Sequence, residues 1–136
     1  MTLRRVRIEL ARSAEFPDGS NRHGYEFILP LHDDGSFDED AWRKAPELCT
    51  VHRFWEGEGD EIGQLIRAEG GWAFSYVPGD DDDEPIHRFA DHQFREGEYI
   101  SIREPDGETR TFRIVLVGPA PGLAEASPTG AARRGQ

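Results

Sequence analysis

Alternation with a period of two recurs along this 136-residue chain. No other feature limits its fold as tightly. Successive side chains of a strand point to opposite faces, so an apolar residue at every second position marks a strand with one buried face. The pattern is best defined in a hairpin: Glu98–Glu104, then Pro105-Asp106-Gly107-Glu108, then Thr109–Val117. Pro105 presets φ for a turn, and Gly107 can adopt the positive φ that such turns need. Stacking apolar on apolar pairs Ile102 with Phe112 and Ile100 with Ile114, and sets Glu104 opposite Arg110. A slip of two would oppose Glu104 to Glu108, two like charges, and is disfavoured on that ground.

Residues 3–12 alternate Val6, Ile8 and Leu10 against Arg5, Arg7 and Glu9, a strand with one wet face. A loop over 15–24, with Pro17 and Gly19, leads to a second strand carrying Tyr25, Phe27 and Leu29, which Pro30 is expected to end. Ser36-Phe37-Asp38-Glu39 has the spacing of a capping box. It predicts one short helix that Pro46 stops, with Phe37, Ala41, Trp42 and Ala45 as its buried side. Strands over 48–55, 62–68 and 72–77 follow. A three-residue join at 69–71 would pair Ala68 with Trp72 and Ile66 with Phe74, gathering Ile62, Ile66, Trp72, Phe74 and Tyr76 on one face.

The fold expected is therefore mainly β, an antiparallel barrel or sandwich of about seven strands with one short helix. It forms a single domain over 1–118. Residues 119–136, rich in Pro, Gly, Ala and Ser, read as a disordered tail. Phe94-Arg95-Glu96-Gly97-Glu98-Tyr99 resembles the phrase that introduces a strand in small barrels such as SH3-like domains; this implies a fold style and no activity.

Twenty-seven acids against sixteen bases give a net charge of −11. Such a field repels phosphate, which argues against duplex nucleic acid and anionic membranes as partners. Fifteen of the sixteen bases are arginine, as a GC-rich bacterial genome would encode. The single cysteine, Cys49, excludes an internal disulfide and fits a reducing compartment. The first residues lack the apolar core of a signal peptide, and no run is long enough to span a membrane, so a cytoplasmic protein is expected. Asp80–Asp83 with Glu84 reads as a solvated acidic loop, because no glycine folds the run around a cation.

P-loop, dinucleotide-binding and nucleophile-elbow motifs are missing from the sequence. Cys49 and His52 stand at an odd offset, on opposite strand faces, so they make neither a dyad nor a chelating pair. Two candidate sites remain. Arg53 and Trp55 share a strand face, with Arg67 and Trp72 on the next strands, and guanidinium beside indole suits carboxylates, phosphates or partner side chains. The same residues equally describe arginines packed along half-exposed tryptophans. The alternative is a metal site in the barrel interior from His52, His87, Asp91 and His92, against histidines that merely hydrogen-bond at strand ends. The first reading gives a non-enzymatic binding domain with no cofactor, a protein or small-molecule partner, and a monomeric or weakly dimeric state. The second gives a small metal-dependent enzyme.

Overall fold

A computed structural model describes residues 2–68, 71–76, 84–86, 89, 92–104 and 107–120. Eight strands form one closed antiparallel barrel: β1 (Thr2–Leu10), β2 (Ser20–Leu31), β3 (Thr50–Trp55), β4 (Glu61–Ala68), β5 (Gly71–Ser75), β6 (Glu84–Ile86), β7 (Tyr99–Arg103) and β8 (Thr109–Pro119). Each strand pairs with its neighbours in sequence, and β1 closes the ring against β8. The alternation seen in the sequence sorts the walls. Val6, Ile8 and Leu10, then Tyr25, Phe27 and Leu29, then Ile100, Ile102, Phe112 and Ile114 are all buried. Closure leaves no continuous free edge for another chain to extend.

The two ends differ. At one end the β2–β3 connection carries α1 (Glu39–Lys44) and a 3-10 turn (Pro46–Leu48). Phe37, Trp42, Trp72, Phe89 and Phe94 pack there as an aromatic plug. Cys49 is buried nearby, and burial pushes its thiol up to about 12, so it serves as apolar filler. The opposite end, formed by the connections after β1, β3, β5 and β7, has no such plug among the described residues.

Several local expectations change. The helix is capped by Asp38, whose side chain accepts from the Ala41 amide at 3.1 Å; Ser36 instead bonds Asp34. Pro30 does not end β2, which runs on to Leu31, because β3 pairs only as far as Phe27 and leaves that stretch bonded to β1 alone. The β4–β5 join has two residues, so Leu65 opposes Phe74 and Arg67 opposes Trp72. Leu65 therefore enters the core, while Ile62 is 64% exposed. Gly63 shares the inward parity of Leu65, and a Cβ there would stand 2.2 Å from the Ser75 carbonyl oxygen. Backbone proximity, which the apolar pattern does not encode, decides that face.

The β7–β8 register is the slipped one. Ile100 opposes Phe112, Ile102 opposes Arg110, and the Glu104 amide donates to the Glu108 carbonyl at 2.8 Å. Gly107 has φ 89° and donates to Glu104 at 2.9 Å, as the turn chemistry requires. The like-charge penalty is avoided because the Glu104 side chain turns into the barrel while Glu108 stays exposed. β8 continues to Pro119, and Ala120 is buried; the rest of the expected tail, 121–136, lies outside the described residues, as do Asp80–Asp83. No helix among the described residues is long and apolar enough to cross a membrane.

Candidate functional site

Parity on β3 turns Val51, Arg53 and Trp55 inward and His52 and Phe54 outward. Arg53 is thereby placed inside the open end of the barrel, paired across the ladder with Tyr25. Its Nη2 donates to Glu104 Oε1 at 2.8 Å, and the Tyr25 hydroxyl donates to the other oxygen of the same carboxylate. Glu104 arrives from the end of β7 on the parity of Ile100 and Ile102, so it belongs to the core series of that strand. Arg53 Nη1 donates to Glu58 Oε1 at 2.9 Å. The two carboxylates are unlike: the Glu104 side chain is 2% exposed, that of Glu58 58%. Burial alone would lower the guanidinium pKa, but the bonds to Glu104 and Glu58 outweigh it and hold it above its ordinary value. Arg53 therefore stays charged.

An aromatic row adjoins this cluster, with His23 buried and Trp55 and Phe16 partly exposed at its two ends. The Arg53 guanidinium lies 4.5 Å over the Trp55 ring, the His23 ring meets Trp55 edge-on at 4.6 Å, and Phe16 follows at 4.7 Å from His23. Arg110 also lies over Trp55, at 5.7 Å, and bonds Glu15 at 3.4 Å. His23 Nδ1 lies 2.6 Å from the Ser20 hydroxyl, which also accepts from the Arg22 amide.

Burial lowers the His23 pKa, with Arg53 acting the same way and Glu56, Glu58 and Glu15 opposing. The unfolded chain, with an ordinary histidine near 6.5, binds the proton first as pH falls. Neutral His23 thus contributes stability that is present above that value and is lost below it. We expect the stability advantage of the native chain over His23→Asn, measured by urea denaturation, to shrink from pH 8 to pH 5. An advantage that grows on acidification would contradict this placement of the imidazole.

The predicted binding residues come together as two separate pairs. Arg53 stacks on Trp55, and Arg67 stacks on Trp72 at 5.0 Å. Arg53 pairs with Glu61 across the β3–β4 ladder, which leaves Arg67 about 20 Å further along β4, at the plugged end. There Arg67 bonds Glu39 at 2.9 Å and helps fasten α1. Nor is Arg53 on an outer surface, because the face it shares with Trp55 is the inner wall.

Of the alternative metal set, His52 lies on the outer wall and bonds Asp60 at 2.9 Å, not in the interior. His92 belongs to the β6–β7 connection at the plugged end, its ring 6.1 Å from Phe94. His87 and Asp91 lie outside the described residues, and no group of three potential metal ligands occurs among the described ones. The sequence assigns no site role to Tyr25, His23, Glu58 or Glu104, although Glu104 continues the parity of two core isoleucines.

The open end also concentrates charge. Among the described residues, segments 11–19 and 56–60 together with Glu104 and Glu108 contain seven acids and one base. A groove of about 1120 Å³ lies on the outer wall between Phe16, Arg22, Tyr99 and Arg113 and includes none of Arg53, Trp55 and His23. No protein family, curated protein or solved structure matches this chain.

Proposed function

We propose that this chain is a small, acidic, cytoplasmic binding domain of bacterial type, without enzymatic activity, which receives its ligand at the open end of the barrel. The observation that carries this reading is the Arg53–Trp55 pair: a charged guanidinium stacked on an indole, reached from solvent through an exposed carboxylate. The interior supports it, because side chains fill the core and the inward charges already satisfy one another. Such an interior leaves recognition to the rim. Closure of the sheet supports a monomeric or weakly dimeric state, and the buried thiol of Cys49 suits a reducing compartment. The reading needs no metal or cofactor. The net charge of −11 disfavours duplex nucleic acid and anionic membranes as partners.

Intact mass under native conditions, before and after a chelator, tests the proposal. A co-purified organic ligand or protein is expected, with amide shift changes on its removal confined to segments around His23, Arg53–Glu58 and Glu104–Arg110. A random duplex at physiological salt should bind more weakly than about 10⁻⁴ M. Stoichiometric metal that disappears with His52→Ala would overturn the binding-domain reading in favour of a metal-dependent enzyme.

A further inference from the structure

We infer that the Nη1 side of Arg53 is a carboxylate-binding position, which Glu58 occupies as an intramolecular stand-in for a ligand with one carboxylate on a flat apolar group. The inference rests on the binding-domain reading and names its ligand class.

Glu104 cannot be the exchangeable partner, since its carboxylate is buried and held from both sides by Arg53 and Tyr25. Glu58 differs in each respect. Its side chain is largely in water, and it hangs from a turn in which Gly57 and Gly59 have nothing within 4 Å of where a Cβ would stand. The turn is closed by the Glu58 amide on the Trp55 carbonyl at 2.9 Å, a bond that does not fix the carboxylate. An ion pair with one partner this exposed contributes little net free energy, because holding a long side chain in place offsets most of the attraction. An external carboxylate can take the position if the rest of the ligand gains contact.

That contact is available beside it. Trp55 is only partly buried beneath the guanidinium, the buried His23 ring backs it edge-on at 4.6 Å, and Phe16, also partly buried, lies 4.7 Å beyond His23. A planar apolar group attached to the carboxylate can lie against the exposed part of the Trp55 indole. The acids described at this end select within anions: a polyanion meets Glu15, Asp18, Glu56 and Asp60, whereas a monocarboxylate replaces one carboxylate by another.

The test uses the full chain, its Glu58→Ala variant and Glu58→Asp, which withdraws the carboxylate by one methylene. Each is titrated with benzoate, acetate and benzylamine while nitrogen-resolved NMR follows the Arg53 side chain and the Trp55 indole. Loss of the internal competitor is expected to tighten benzoate about threefold in Glu58→Ala, the gain that displacing so exposed an ion pair allows. Glu58→Asp should fall between, acetate should bind more weakly than benzoate, and benzylamine should leave both signals in place. Equal benzoate affinity in all three proteins, or shifts away from Arg53 and Trp55, would overturn the proposal. Should Glu58→Ala not fold, the Glu58→Asp comparison decides alone. Absence of any ligand in the native mass experiment would sink the functional reading while a threefold gain here stood. Equal benzoate affinities would sink the site even if a partner mapped to the open end.

Discussion

Arg53→Ala is expected to destabilise the barrel by about 3–5 kcal/mol, and Glu104→Ala by a similar amount, because each strands its buried partner as an uncompensated charge. For a domain of this size the melting temperature should fall by roughly 10 °C or more. The asymmetry of the cluster sharpens the expectation. Glu104 has Tyr25 as a second donor, and Arg53 has Glu58 as a second acceptor, but neither auxiliary bond replaces the central one at 2.8 Å. Replacing both charges together, Arg53→Met with Glu104→Leu, should recover most of the loss, since a packed apolar pair of similar volume removes the desolvation penalty along with the attraction. The measurement is urea denaturation of the two single variants and the double. Single variants within about 0.5 kcal/mol of the native chain would mean that the pair is open to water, which contradicts its burial. Because these losses are structural, Arg53 cannot serve as a clean probe of ligand binding, and Glu58 can.

Much of the barrel is legible from parity alone. Val6, Ile8 and Leu10 and the hairpin isoleucines face inward as their alternation requires, and Gly107 takes the positive φ its turn needs. Register was less legible, for reasons that differ by position. At Glu104 the cross-strand charge rule fails because the side chain leaves the surface altogether, its counter-charge coming from β3, some fifty residues away. At Gly63 the deciding contact is with the Ser75 backbone, and only a three-dimensional neighbour shows that no side chain fits. The candidate site divides in the same way. Pairing each arginine with its tryptophan follows from strand parity and proximity. The distance between the two pairs depends on the β3–β4 register, and the inward direction of Arg53 depends on a partner that parity alone would have assigned to the core.

The two tryptophans of that prediction should respond very differently to truncation. Trp72 is 4% exposed and lies within 6 Å of Phe37, Trp42 and Phe89, at ring-centroid distances of 5.0, 4.7 and 5.9 Å. Trp72→Ala removes the centre of the plug and should destabilise by about 3–5 kcal/mol, the range for a large buried aromatic that leaves a cavity. It also deprives Arg67 of the ring it covers, which weakens the tie through Glu39 to α1. Trp55, partly exposed at the rim, should lose less, about 1–2 kcal/mol, because water can occupy the space it vacates. A double-mutant cycle isolates the reason for the difference. Trp42 and Trp72 meet edge to face at 4.7 Å, a contact worth about 0.5–1.5 kcal/mol beyond area burial, so their substitutions should be non-additive by that amount. Trp55 and Trp72 sit at opposite ends of the barrel, and their losses should add. Equal losses for Trp55→Ala and Trp72→Ala, or strict additivity of Trp42 and Trp72, would show that the helix does not seal the barrel through these rings.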